Sequence, residues 1–341
     1  NGDSVIVDAL QGLVLVEPEK DTVNEYQEKQ VAFVKEERET SEYVDKIPLV
    51  ASGERYSIGL NIGGTEPEDG FKYVDFVGLF RTEFLYMGSE YMPTEQEQFD
   101  AYKKVLANAM GNPVTLRTLD IGGDKTLRYM EMPKEDNPFL GNRALRLCLD
   151  HKDMFKTQLK AALRASAFGP LQIMFPMVGT IDDIRAAKAV VEEVKQELRN
   201  VGIAFDEKIN IGIMIEIPSI AMISDLAAKE VDFASVGTND LTQYLHAVDR
   251  MNPAITSYYQ SMSPAMFRML GRIFCEFNRA GKPISVCGEL AGEHLGALAM
   301  FGLGLRKFSM NAANIGRVKR TLSLFTKEET ETIAKKVQNL E

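Results

Sequence analysis

The sequence predicts an α/β protein built as a closed (β/α)8, or TIM, barrel with a linker helix in front of it. Three observations carry that expectation. From Ile47 onward short β-branched or apolar runs alternate with helical stretches, which is how a parallel sheet with covering helices reads. Each run ends in glycine or polar residues, and eight runs can be distinguished, the number that closes such a barrel. The length of 341 residues, at roughly 150 residues per domain, suits one large domain or two ordinary ones.

Taken in order, Ser4 to Val16 alternates apolar residues with turn-formers around Gln11-Gly12, as two short strands would. Two strands alone bury no core, so residues 1–20 read as the tail of a preceding domain. Thr22 to Lys46 is densely charged, lacks Gly and Pro, and spaces Tyr26, Val31, Val34 and Tyr43 among Glu and Lys. That predicts a linker helix over 21–46, with the barrel occupying 47–341. Its strands are expected at Tyr56–Leu60, Phe76–Phe80, Val114–Leu119, Leu171–Phe175, Ile211–Ile215, Phe233–Val236, Ile284–Val286 and Arg306–Ser309. Helices are expected between them, among them Thr94–Ala109, Ile181–Asn200 and Pro264–Ala280, and Gly122 to Gly169 is an elaboration with helical pieces.

Composition narrows the function. Lys plus Arg total 39 against 49 Asp plus Glu, a formal charge of −10, the wrong sign for a protein whose affinity rests on neutralising a nucleic-acid backbone. At 45% apolar and 26% charged residues the chain is an ordinary globular one, which excludes a disordered or fibrous protein. Cys148, Cys275 and Cys287 are too few and too scattered for a disulfide framework or a Cys-rich zinc site, which fits a reducing cytoplasm. There is no apolar run of about 18 residues and no basic-then-apolar leader, so neither a membrane span nor a secretory signal is expected. The chain opens on Asn1 and runs at once into strand-like sequence, and we expect it to be part of something longer.

Barrel active sites lie at the carboxyl ends of the strands, and here those ends are polar. They carry Asn61, Arg81-Thr82-Glu83, Arg117 with Asp120, Pro176-Met177, Glu216, Gly237-Thr238-Asn239-Asp240, Cys287-Gly288-Glu289 and Asn311. Arg81 and Arg117 fall at neighbouring strand ends, Arg143 in the long insertion, and Arg250 beyond the sixth strand. Planar guanidinium forks suit phosphate and carboxylate; a single arginine reads as a surface ion pair, but several at strand ends of an acidic chain point to an anionic ligand. Gly122-Gly123-Asp124-Lys125 offers a flexible backbone and an ammonium, although alone it reads as a plain turn. Glu216 and Asp240 close consecutive strands, and two carboxylates completed by substrate oxygens make a Mg²⁺ site. Glu216 can equally be half of a buried ion pair, and Asp240 or Asn239 a helix N-cap. Cys148 and Cys275 read as small core residues. Cys287 stands where a barrel side chain points into the mouth, and its thiol can act as proton donor or as nucleophile. His151, His246 and His294 lack metal-ligand spacing and read as surface or capping residues, and the 16 methionines as core filler.

The stretches GLFRTEFLYM, TLRTLDIGGDK, NPFLGNRALR, MFPMV, GIMIEIPS, DFASVGTNDLTQYLHAVDR and SVCGELAG closely resemble the carboxyl-terminal, phosphoenolpyruvate-binding domain of enzyme I of the bacterial sugar phosphotransferase system, from about Tyr56 to Asn311. Pyruvate phosphate dikinase and phosphoenolpyruvate synthase share that barrel, but the unbroken DFASVGTNDLTQYLHAVDR and the linker look more like enzyme I. The resemblance implies a barrel of the phosphoenolpyruvate/pyruvate type. It implies that Arg81, Arg117 and Arg250 hold the substrate's phosphate and carboxylate, with Asn239 and Asp240 contributing and Arg143 and Lys125 nearby. It implies that Glu216 and Asp240 ligate Mg²⁺, and that Cys287 protonates the enolate carbon as pyruvate forms.

Enzyme I carries the phosphoryl group on a histidine in a segment resembling GGxTSHxAI within a separate amino-terminal domain, and no such segment occurs here. The resemblance therefore implies that residues 1–20 are residual strands of that phosphohistidine domain, and that the acceptor histidine and the surface for the small carrier protein HPr lie outside this chain. It also implies a homodimer, in which the aromatic and Met-rich stretch Ser257–Met269 could take part; a core role for that stretch is the other reading. A dikinase or synthase barrel and a non-catalytic phosphoenolpyruvate sensor are the competing expectations. A sensor would need no proton donor, so the retained thiol and both carboxylates argue against it.

Overall fold

The computed structural model describes residues 2–9, 12–66, 69–123, 125–130 and 132–339. Strands β1 (Val5–Asp8) and β2 (Leu13–Val16) pair antiparallel, with Val5 opposite Val16; Gln11, expected in their turn, and Asn1 lie outside the described residues. The linker helix runs Lys20–Ser41 and buries none of its residues. It ends before the predicted Lys46, because the N–H groups of Tyr43 and Val44 turn back to the carbonyls of Thr40 and Ser41 and close off the last turn. Its carboxyl end rests on the barrel. There Arg320 pairs with Glu39 at 2.6 Å and Arg317 with Glu36 at 3.6 Å. Gly316 permits the contact, since a Cβ at that position would meet the Thr40 carbonyl oxygen at 2.2 Å.

Eight parallel strands follow: β3 (Ser57–Ile62), β4 (Phe76–Arg81), β5 (Val114–Arg117), β6 (Leu171–Phe175), β7 (Asn210–Ile215), β8 (Phe233–Val236), β9 (Ile284–Val286) and β10 (Lys307–Met310). They pair in chain order, and β10 closes the barrel on β3 with Phe308 opposite Ile58. All eight expected runs are strands, because a barrel strand is covered on both faces and so reads as a continuous apolar stretch. Ile58, Leu60, Ile173, Ile213 and Val286 are packed under the helices, whereas Leu79, Met174, Met214, Phe233 and Cys287 form a separate inner cluster.

The covering helices include Glu95–Asn108, Ile181–Asn200 and Pro264–Arg279, the first two opened by capping boxes, Thr94 with Glu97 and Thr180 with Asp183. Along Pro264–Arg279 the buried positions are Met266, Phe267, Leu270, Ile273, Phe274 and Phe277. Cys275 lies off that stripe and is exposed, which corrects the core reading; Cys148 is buried as expected. In the Ser257–Met269 stretch, Met266 and Phe267 belong to the core while Tyr258 and Met262 are exposed. Among the described residues no helix is long and apolar enough to cross a membrane.

Strand β5 ends at Arg117, two residues before the predicted Leu119, and a buried amide explains where the ladder goes. The Leu119 N–H donates to Gln158 Oε1 at 2.8 Å, while Gln158 Nε2 donates to Thr82 Oγ1 at 3.1 Å. Thr82 Oγ1 in turn donates to the Arg117 carbonyl at 2.8 Å. A helix side chain thus replaces the neighbouring strand and fixes the segment that carries Arg117 and Asp120. Gln158→Met, which keeps the volume but strands the Leu119 N–H, is expected to cost about 1–3 kcal/mol. Denaturant midpoints check this, and a loss under about 0.5 kcal/mol would show that the amide is not what holds the strand end.

Candidate active site

A cavity of about 540 Å³ opens at the carboxyl ends of the strands, and most of the site residues expected from the sequence line it: Arg81, Arg117, Lys125, Glu216, Asn239, Asp240, Arg250 and Cys287. Arg143 does not line it. That arginine is 1% exposed and bridges two carboxylates from behind, Asp120 Oδ1 at 3.0 Å and Asp240 Oδ1 at 3.1 Å, with Tyr244 hydroxyl at 3.2 Å. The turn that delivers it holds Ala144 at φ +52°, with the Ala144 N–H on the Ile121 carbonyl.

Three of the lining cations, Arg117, Lys125 and Arg250, are held by carboxylates. Arg117 pairs with Asp120 at 3.1 Å and with Glu83 at 2.5 Å, and Lys125 reaches the same two, Glu83 at 2.9 Å and Asp120 at 3.2 Å. Arg250 stands 3.8 Å from Asp240, and Arg81 lies over the Phe84 ring, 5.3 Å from its centroid. Burial works against charge on Arg117, but Glu83 and Asp120 outweigh it and hold the guanidinium more basic than usual. Burial likewise works against the Asp120 carboxylate, and Arg117, Arg143 and Lys125 overcome it and hold its pKa far below the carboxylate range. The expected Gly122–Lys125 turn is present, with the two residues exchanging backbone hydrogen bonds, and it aims Lys125 at Glu83 and Asp120; Asp124 lies outside the described residues.

Glu216 follows β7 directly, and its Oε1 accepts the Met177 N–H at 2.6 Å. Its other oxygen lies over Gly237, where a Cβ would meet it at 2.7 Å and force the carboxylate to shift. Burial, then the charges of Asp240 and Asp120, push its pKa to about 8. Neither Asp240 nor Asn239 caps the helix Thr238–His246, whose amino end carries no side-chain cap. Asp240 sits in the first turn, engaged by Arg143, and Asn239 accepts the Glu289 N–H at 2.9 Å, while Tyr259 hydroxyl donates to the Asn239 carbonyl at 3.1 Å.

Cys287 closes β9 with its Sγ 3.7 Å from the Val236 carbonyl, to which it donates. Its own carbonyl accepts from Asn61 Nδ2 at 2.8 Å, and Ser309 Oγ donates to Asn61 Oδ1 at 2.6 Å. Burial pushes the thiol up to about 11, against the pull of the Ser235 hydroxyl and Arg117. At neutral pH it is a protonated donor and a poor nucleophile. Glu83, Asp120, Tyr244 and Gln158 were given no site role from the sequence. One signal was present: cations gathered at buried strand ends require counter-charges nearby, and Glu83 and Asp120 are the acidic residues adjoining Arg81 and Arg117 in the chain.

Comparison with known proteins identifies the family. The family described as PEP-utilising enzyme, PEP-binding domain, matches residues 37–326. The chain is 45% identical over 342 residues to a phosphoenolpyruvate-protein phosphotransferase of Bacillus subtilis (strain 168), covering 100% of this chain and 60% of that protein. It is 46% identical over 333 residues to one from Priestia megaterium, covering 97% and 58%. Against one from Staphylococcus carnosus (strain TM300) the values are 45% over 337 residues, covering 98% and 59%. The chain thus spans about 60% of the length of the Bacillus subtilis relative. With an eight-stranded parallel barrel whose mouth gathers arginines, paired carboxylates and a protonated thiol, and with the family match spanning most of its length, the chain belongs to the PEP-utilising enzymes through their PEP-binding domain.

Proposed function

We propose that this barrel binds phosphoenolpyruvate together with Mg²⁺ and catalyses transfer of the phosphoryl group to a histidine of a separate amino-terminal domain, releasing pyruvate, the first step of phosphotransferase-system sugar uptake. The observation that carries the reading is the placement of the buried, protonated Cys287 thiol in one cavity with Arg81, Arg117 and Arg250. A simple anion-binding pocket has no use for such a donor. Phosphoryl transfer passes through a loose transition state whose charge lies on the phosphoryl oxygens, where guanidinium groups stabilise it. The bond from phosphorus to the enol oxygen breaks as the bond to the acceptor nitrogen forms, and the electron pair stays with the enolate. The enolate carbon then takes the Cys287 proton, and the resulting thiolate recovers a proton from solvent. Arg143 serves as a positioning residue, holding Asp120 and Asp240 in place.

The donor set fits Mg²⁺. Burial, then the charges of Asp240 and Asp120, raise the Glu216 pKa to about 8, and a divalent cation beside it would offset the repulsion among these carboxylates. Mg²⁺ takes one or two carboxylates and completes its shell with substrate oxygens and water, and Glu216 and Asp240 both line the cavity. Bound Mg²⁺ would neutralise phosphate charge, and Glu216 and Asp240 would hold it. Calorimetry tests the reading. Chelation of Mg²⁺ is expected to weaken phosphoenolpyruvate binding at least about ten-fold, since the unscreened carboxylates repel a multiply charged anion. Equal affinity after chelation would rule the metal out of substrate binding. The same reading places the protein in the cytoplasm as a homodimer whose acceptor domain passes the group to HPr; the resemblance to enzyme I and the three free thiols support it.

A further inference from the structure

Glu83 is 1% exposed, lines the cavity, and is used on one side only. Its Oε1 takes both Arg117 Nη2 and Lys125 Nζ, the latter at 2.9 Å, while Oε2 is buried with no hydrogen-bond partner among the described residues. Asp120, the other carboxylate shared by those two cations, is used on both oxygens: Arg143 takes Oδ1, and Arg117 and Lys125 take Oδ2. A buried carboxylate oxygen without a donor costs stability, so the half-used Glu83 is not what packing alone would favour. It also leaves the cluster without surplus positive charge, with Arg117, Lys125 and Arg143 facing Glu83, Asp120 and Asp240. In Arg117 and Lys125 an incoming phosphate therefore meets cations that are already paired, whereas Arg81, on the same cavity, has no carboxylate partner among the described residues.

We infer that Glu83 is an exchangeable internal counter-ion, which holds Arg117 and Lys125 in position in the free protein and which the phosphate group of the ligand displaces from them. The inference rests on the phosphoenolpyruvate reading of the site and adds to it a device for selectivity. A phosphate dianion accepts two parallel hydrogen bonds from a guanidinium fork and can compete with a carboxylate for it. A monoanion with fewer acceptor oxygens competes poorly, so Glu83 raises the threshold for occupancy. Asp120, fixed by three cations, keeps Arg117 in place while the exchange occurs.

Glu83→Gln tests this, because the amide keeps the shape and an acceptor oxygen for Arg117 while removing the charge. Inorganic phosphate is the probe, read by calorimetry and by thermal unfolding. The variant is expected to bind phosphate roughly ten-fold more tightly than the unmodified chain, because a competing negative charge within a few ångströms of the anion is gone. Its melting temperature without phosphate is expected to fall, and phosphate to raise it further than in the unmodified chain. Phosphate binding that is unchanged or weaker would overturn the inference and make Glu83 a fixed anchor. Should the variant fail to fold, a crystal structure of the unmodified chain with phosphate decides: the Arg117–Glu83 contact opened supports exchange, and the contact intact overturns it. Phosphoenolpyruvate titrated into the unmodified chain separates the two proposals. Binding there, with a variant no tighter for phosphate, defeats only the exchange; no binding of either anion defeats the reading of the site and the exchange with it.

Discussion

Cys287→Ser is expected to leave phosphoenolpyruvate affinity within about two-fold while lowering pyruvate release by about a hundred-fold or more, the usual scale for losing a general acid. Among the described residues the thiol makes no ion pair; it donates to the Val236 carbonyl at 3.7 Å and has the Ser235 hydroxyl beside it, so a hydroxyl of smaller size fits without disturbing the arginines. Serine is a far weaker acid than cysteine and has little proton to offer an enolate carbon. Burial has already raised the Cys287 thiol to about 11, a value that keeps it protonated at neutral pH yet leaves it far more acidic than an alcohol. Turnover with a separately supplied amino-terminal acceptor domain, and equilibrium binding to the same preparation, check the split. Full turnover by the variant would remove Cys287 from the mechanism.

Arg117→Ala is expected to weaken phosphoenolpyruvate binding by more than ten-fold and to destabilise the fold as well. Losing a buried, hydrogen-bonded charge from a binding site costs about 2–5 kcal/mol, and this arginine is also the partner of two buried carboxylates. Removing one member of a buried pair leaves the other uncompensated, which costs about 3–5 kcal/mol of stability. Binding by calorimetry and unfolding by denaturant separate the two effects. A change in affinity below about two-fold would make Arg117 peripheral.

Much of the barrel was legible in the sequence, for a physical reason: a strand covered on both faces must be apolar throughout, and such runs stand out between helical stretches. Ends were less legible. β5 stops at Arg117 because Gln158, a residue of another element far along the chain, takes the Leu119 N–H, and no local pattern announces that. The polar character of the strand ends was also readable, and Arg81, Arg117, Glu216, Asp240 and Cys287 do share one cavity. What could not be read was how the charges are apportioned. Arg143 looks like another anion ligand in the sequence, yet the turn at Ala144 places it behind Asp120 and Asp240. Glu83 and Asp120 read as polar residues at strand ends, and only the folded barrel shows them clasping Arg117 and Lys125. Cys275 looked like core because its neighbours are apolar, but the turn of the helix faces it outward.

On the proposed function, this barrel hands on the phosphoryl group of phosphoenolpyruvate and supplies a proton, and does not keep the phosphoryl group itself. Among the described residues His246 is occupied by Thr242 and Ser263, and His294 pairs with Glu293. The most direct test incubates phosphoenolpyruvate labelled in its phosphoryl group with the chain and Mg²⁺, alone and with a separately supplied amino-terminal domain of a phosphoenolpyruvate-protein phosphotransferase. Label should pass to a histidine of that domain as pyruvate appears, slowly, because a short tether that would supply millimolar effective concentration is missing. Label stably retained by the chain alone, or none reaching the added domain while phosphoenolpyruvate is bound, would contradict the account.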